Sequence, residues 1–250
     1  MLQSYEIRKS KRRYFFVLGT LVNSGAIIVG ALIGLLIGRA LPQRLGDTVM
    51  KGLALCTIYI GISGALKGGN MLVLIISIIL GAIIGESLDL DDKLNRLGKL
   101  IEGKFKAHEK NSIAQGFVTS SLLFCVGAMA IVGSLQSGLT GDHTTIYLKS
   151  TLDFTASIIF ASQLGVGVIF SSVFVLAYQG SIVLLANWIA PLLSEPVIAE
   201  MTCAGSVIII GLAVNMLGIS NIKLKVMNYV PAIFIAAAIQ AIYINFFTSG

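Results

Sequence analysis

The sequence predicts an all-α fold, a polytopic transmembrane helix bundle of about eight helices. Three observations carry that expectation. Hydrophobic residues make up 56% of the 250 residues and charged residues 12%, against about 25% charged in a soluble domain. Mean hydropathy is +0.89. Apolar runs approaching the ~20 residues that span a hydrocarbon core recur along the chain, separated by polar stretches.

The first run is Phe15–Gly38, and the basic tail before it (Arg8, Lys9, Lys11, Arg12, Arg13) superficially resembles the start of a signal peptide. A signal core is about 7–15 residues long and ends at a small-residue cleavage site. The uncharged run here is longer and is followed by Arg39, so it reads as a retained first helix. Further helices are expected at Gly52–Leu66, Met71–Gly85 and Ile113–Leu135. The long stretch Asp153–Leu193 is expected to break near Ser171-Ser172, giving Asp153–Phe170 and Val173–Ile189, with Pro191 and Pro196 ending the latter, because proline lacks the backbone donor. Met201–Leu217 and Tyr229–Phe247 complete the set, Pro231 lying in a first turn where it is tolerated.

The domain plan is therefore a basic extension over 1–16 and one transmembrane domain over 17–250. The polar stretch 87–112 carries Leu90, Leu94, Leu97 and Ile101 at helical spacing among charges, an amphipathic segment for the membrane surface or a solvated linker helix packed on its own bundle. Gln136–Thr151 reads as a second polar loop. Lys and Arg counting sets orientation. With the loop after the first helix inside, Arg39, Arg44, Lys51, the basic residues of 86–112, Lys223 and Lys225 all lie inside, and Lys67 and Lys149 outside. Only the N-terminal tail breaks this pattern, and both termini are placed outside. The net charge of +6 belongs to these loops rather than to a nucleic-acid surface, and no nucleic acid is expected as a partner.

Ala26, Gly30, Gly34 and Gly38 form a small-residue stripe on the first helix, as do Ser77, Gly81 and Gly85 on the third. Such stripes let helix backbones approach in lipid. Packing within the bundle is the structural reading, and a homodimer seam or a moving contact are the others. Thr57-Ile-Tyr-Ile-Gly61 resembles Val207-Ile-Ile-Ile-Gly211 at an odd helix offset, a hint of an inverted repeat. The match Leu18-Gly19 with Leu164-Gly165 competes with it at an even offset.

Polar side chains inside apolar helices are costly and are functional candidates. Ser and Thr ordinarily bond a carbonyl one turn back, whereas amides and carboxylates need partners on other helices or a wet interior. A substrate or ion path is therefore drawn through Asn23, Ser121, Gln136, Asp153, Gln163, Gln179 and Asn215, with Thr20, Glu86, Ser162 and Glu200 as secondary candidates. Lys149 and Asp153 stand at i,i+4 and are expected to pair at the interface, while Glu86 and Glu200 lie near helix ends within reach of headgroups. No phosphate loop, HExxH or GxSxG motif is present. His108 and His143 fall in separate loops, and Cys56, Cys125 and Cys203 sit in apolar runs as small buried hydrophobes. No enzyme activity, metal site or cofactor is expected.

Gly19-Thr-Leu-Val-Asn23, Leu123-Phe-Cys-Val-Gly-Ala-Met-Ala-Ile131, Gly133-Ser-Leu-Gln-Ser-Gly138, Gly141-Asp142, Lys149-Ser, Leu152-Asp153, Ala161-Ser162 and Tyr178-Gln-Gly-Ser181 resemble the YdfK/YqgA-like family of bacterial inner-membrane proteins. The resemblance runs from about Leu18 to the C-terminal region, and several motifs in fixed order carry it. It implies a compact multi-helix bundle in the bacterial inner (plasma) membrane and names no substrate. The family begins just before the GTLVN-like motif, which makes Met1–Phe16 an extension. The functional expectation is a secondary transporter or channel for a small solute or ion. The alternative is a non-transporting membrane scaffold or regulator that docks a partner through 88–107.

Overall fold

The computed structural model describes residues 2–40, 42–93, 96, 113–219 and 223–247, and among these it is helical throughout, with no strand. Ten α-helices follow one another: α1 (Leu2–Ala40), α2 (Gln43–Ala65), α3 (Met71–Leu88), α4 (Ile113–Cys125), α5 (Ala128–Thr140), α6 (Thr144–Leu164), α7 (Gly167–Leu184), the short α8 (Ala186–Ile189), α9 (Glu195–Leu217) and α10 (Pro231–Phe247) among the described residues. The surface segment expected at 87–112, and with it the docking stretch 88–107 and His108, lies largely outside them.

Six described helices are long and apolar enough to cross a membrane: Val17–Gly38, Arg44–Ala65, Met71–Leu88, Gly167–Leu184, Glu195–Leu217 and Val226–Ile244. The α4–α5 pair, bent by 62°, brings the number to seven if it counts as one span. The remaining long helix, α6, carries Lys149, Asp153 and a series of Ser and Thr, and does not qualify on apolarity. Large apolar side chains cover the outward faces, with Leu36, Leu55, Leu72 and Ile83 more than half exposed. A belt of that kind suits lipid rather than water.

Several expected boundaries move, each for a local reason. The helix expected at Ile113–Leu135 breaks at Val126-Gly127, where Gly127 has φ +129°, a backbone open to glycine. The break expected near Ser171-Ser172 falls instead at Gly165-Val166, Gly165 having φ +75°. Ser171 and Ser172 continue the helix and donate their hydroxyls to the carbonyls of Val168 (2.7 Å) and Ile169 (2.6 Å). The helix expected from Asp153 starts at Thr144, because the polar residues before Asp153 include an inward face: Ile146, Lys149 and Ser150 are buried. Pro196 opens α9 instead of ending the helix before it. α2 starts at Gln43, earlier than the apolar run suggested.

The small-residue stripes are used within the chain. α1 and α6 run side by side in the same direction, Gly19 against His143 at one end and Gly38 against Ser162 at the other. A β-carbon on Gly30, Gly34 or Gly38 would strike the α6 backbone at Phe154, Ile158 or Ser162. Gly81 seats α3 on Ala232 at the start of α10 and Gly85 seats it on Asn228 in the turn just before, antiparallel. The two similar stretches Thr57–Gly61 and Val207–Gly211 belong to helices that pack antiparallel, Gly61 against Ser206 and Ile210, Gly68 against Cys203. Between α1, α4, α6 and α7 lies a core of Ile27, Ala31, Phe124, Phe160, Leu164, Val168 and Val175. It fixes the helices that carry the site.

Candidate functional site

Three of the sequence-selected path residues, Asn23, Asp153 and Gln179, meet in the interior. Asn23 comes from α1, Asp153 from α6 and Gln179 from α7. Asn23 Nδ2 donates to Asp153 Oδ2 (3.0 Å) and to Gln179 Oε1 (3.2 Å). Lys149, one turn before Asp153, places its Nζ 2.7 Å from both carboxylate oxygens. Asn23 and Gln179 are fully buried, and the Lys149 and Asp153 side chains are 8% and 7% exposed. The pair expected at the interface is thus a buried one. The i,i+4 spacing that made it visible in the sequence holds, but α1 and α7 cover it.

Depth follows from helix geometry. At a rise of about 1.5 Å per residue, Asn23 lies roughly 9 Å inside the Val17 end of its span and Gln179 roughly 8 Å inside the Leu184 end of α7. Asp153 lies roughly 13 Å from the start of α6. Those three ends lie together, since Gly19 packs on His143 and Gly138 on Val183 and Ala186, while Gly133 packs on Thr145. The cluster therefore sits between the surface and the middle of a core about 30 Å thick.

The hydrogen-bond inventory is unequal. A carboxylate only accepts, so the amide of Asn23 must turn its nitrogen toward Asp153, and that nitrogen's other hydrogen reaches Gln179 Oε1. This leaves the Asn23 Oδ1 acceptor and the Gln179 Nε2 donor buried without a partner. Thr20, one turn before Asn23 on the same face, also has its hydroxyl buried and unpartnered. Ser24, next to Asn23, reaches across to the Ser172 carbonyl (3.0 Å) and ties α1 to α7. Buried polar groups usually find partners, so this cluster holds spare capacity.

The other selected residues lie elsewhere. Ser121 is buried on α4 with its hydroxyl unpartnered and lines a cavity of about 100 Å³ beside the α4–α5 break, shared with Cys125 and Tyr178. Gln136 is at the surface, accepting from the Thr145 hydroxyl (2.8 Å). Gln163 donates to its neighbour Ser162 (3.2 Å), and Ser162 bonds the Ile159 carbonyl (2.8 Å). Asn215 brackets the approach to α10 through the amide (2.9 Å) and carbonyl (2.8 Å) of Leu224. Glu86 pairs with Lys225 (2.8 Å) and Asn228 (2.6 Å) at an exposed helix end, and the bond to Glu86 holds the Lys225 ammonium above its ordinary range.

Glu200 does not reach for headgroups. It is buried at the start of α9 and accepts the backbone N–H of Gly69 (2.6 Å) and Asn70 (2.8 Å) through one oxygen. Asn70 in turn caps α3 by accepting from Leu72 (3.0 Å) and Val73 (3.4 Å). His143 is buried against Ser137 (2.8 Å). Beside it Asp142 accepts from the Thr144 hydroxyl and amide, which holds its carboxyl below the usual range. Of the three cysteines, Cys125 and Cys203 are buried, but Cys56 is exposed on the outer face of α2, where an apolar run met lipid-facing positions as well as core ones. The i,i+4 spacing of Lys149 and Asp153 identifies the pair in the sequence but not its burial, so Lys149, in a stretch that reads as loop, is absent from the expected path and joins it only in the folded bundle.

These helices and this buried ionic cluster define a polytopic helical membrane protein with a polar interior. The chain belongs to the DUF554 family, described as protein of unknown function, whose model matches residues 18–241. It is 29% identical over 237 residues to "Uncharacterized protein YqgA" of Escherichia coli (strain K12), covering 92% of this chain and 99% of that relative. It is 28% identical over 221 residues to "Uncharacterized membrane protein YdfK" of Bacillus subtilis (strain 168), covering 87% and 93%. No solved structure matches the chain. The family match starts at residue 18, and α1 runs back from there to Leu2.

Proposed function

We propose that the protein is a secondary transporter or channel of the bacterial inner membrane, carrying a small polar solute or ion through the Asn23–Lys149–Asp153–Gln179 cluster. One observation carries this reading: a buried ion pair whose amide neighbours keep an unused acceptor and an unused donor. Charged residues within membrane helices are rare and mark solute and ion pathways, and a purely structural network gains most when every member is satisfied. A discontinuous helix lies alongside, since α4 and α5 part at Gly127 and the end of α4, Phe124 and Cys125, packs in one core with α1, α6 and α7. Broken helices at buried solute sites are a recurrent transporter design. The basic loops of the sequence support placing the first connecting loop in the cytoplasm.

The test is flux through purified protein in liposomes, read as solute-induced currents and tracer exchange over monovalent cations, organic anions and amino acids. Transport of at least one of these is expected, lost in Asn23→Ala and Gln179→Ala. The outlying Gln136→Ala and Asn215→Ala variants should keep it. Flux that is absent for every solute, or that survives in both interior variants, removes the proposal.

A further inference from the structure

We propose that the buried cluster takes a zwitterion, an α-amino acid with a small aliphatic side chain, its carboxylate on Lys149 and its ammonium on Asp153. This assignment rests on the transport reading above and names the substrate class for it. The first argument is charge. Lys149 and Asp153 make a site of zero net charge, buried between α1, α6 and α7. A lone cation or anion entering such a site would arrive uncompensated, at large desolvation cost. A zwitterion exchanges one internal ion pair for two and leaves the net charge at zero.

The second argument is the geometry of the unused groups. Asn23 Oδ1 is a free acceptor on a side chain already bonded to Asp153, and Gln179 Nε2 is a free donor bonded into the same cluster through Asn23. An ammonium at Asp153 finds a second acceptor in Asn23, and a carboxylate at Lys149 a second donor in Gln179. Each end of the zwitterion then has one charged and one neutral partner. The reverse polarity would set donor against donor.

The third argument is the neighbouring cavity of about 100 Å³, walled by Leu122, Cys125, Ile131, Phe174, Tyr178 and Met201. Cys125 belongs to this wall and also to the core that packs α4 against α1, α6 and α7, and Tyr178, another wall residue, immediately precedes Gln179 on α7. An apolar protein cavity of about 150 Å³ stays dry and accommodates benzene, so this smaller one suits a branched aliphatic group and excludes an indole. Entry of the solute separates Lys149 from Asp153, and in the present closed arrangement the two hold each other.

The experiment is counterflow in proteoliposomes preloaded with unlabelled leucine. External labelled leucine is compared with labelled 3-methylbutylamine, 4-methylpentanoate and tryptophan. Leucine is expected to exchange, and the two single-charge analogues and tryptophan to fail. Lys149→Met and Asp153→Asn should each weaken leucine exchange by about tenfold or more. The reversed pair, Lys149→Asp with Asp153→Lys, keeps a neutral buried couple and should elute as folded protein, yet exchange no leucine. Exchange of either single-charge analogue at the rate of leucine, or undiminished exchange in the folded reversed pair, overturns the zwitterion assignment and leaves transport standing. Protein that carries another solute but not leucine does the same, whereas no flux for any solute overturns both readings.

Discussion

Neutralising Asp153 alone should destabilise the bundle far more than neutralising Asp153 and Lys149 together. The two side chains are 8% and 7% exposed, and the lysine ammonium lies 2.7 Å from both carboxylate oxygens. Asp153→Asn keeps the volume and removes the charge, which leaves an ammonium buried without its counter-ion. Breaking a buried pair in this way costs about 3–5 kcal/mol. Lys149→Met should cost a similar amount by stranding the carboxylate. The double variant strands nothing, and exchanging a buried pair for neutral residues is often close to neutral or stabilising. The cycle should therefore be non-additive by more than ~3 kcal/mol. Unfolding of purified protein in mixed micelles of increasing denaturing-detergent fraction measures all four forms. Single variants within ~0.5 kcal/mol of the parent, or a double variant equal to their sum, would refute a desolvated pair. The double variant also separates fold from function, because it should be stable and unable to carry solute.

Other expectations follow from particular contacts. Gly34→Leu should lower stability by ~1–3 kcal/mol or more, since its side chain would enter the α6 backbone at Ile158 and the side chain of Ala161. Gly25→Ala, with nothing within 4 Å of the new carbon, should stay within ~1 kcal/mol of the parent in the same unfolding assay; equal effects would dissolve the α1–α6 seam. Glu200→Ala orphans the Gly69 and Asn70 amides and should raise their hydrogen exchange by about tenfold or more, while Glu200→Gln keeps an acceptor oxygen and much of the protection. Unchanged exchange in the alanine variant would sink that role. Orientation can be read in intact cells lacking Cys56: a cysteine at Gly69 should react with an impermeant maleimide from outside and one at Gly46 should not, and the reverse pattern would invert the topology drawn from the basic loops.

The sequence alone determined the solvent. So few charges and so much apolar length leave no way to coat a water-soluble core, and that follows from composition without any knowledge of contacts. It also marked the stripe Gly30, Gly34 and Gly38 as a place of close backbone approach, because small residues at four-residue spacing share one helix face. The amides Asn23 and Gln179 and the carboxylate Asp153 stood out for the same kind of reason, each being expensive in an apolar helix. What hydropathy could not see was direction. α6 looked like a loop followed by a helix because its Thr, Ser and Lys side chains lower the local average, although one face of it is turned into protein rather than lipid. Whether an interior amide meets a partner on another helix depends on the relative rotation and register of chains separated by more than a hundred residues. Tertiary packing joined Asn23 to both Asp153 and Gln179, left Gln136 at the surface against the Thr145 hydroxyl and Asn215 on the Leu224 backbone, and turned Glu200 from a headgroup ligand into the clamp of the α2–α3 turn. Local spacing fixes which side chains share a helix face, and only the packing of helices decides what that face meets.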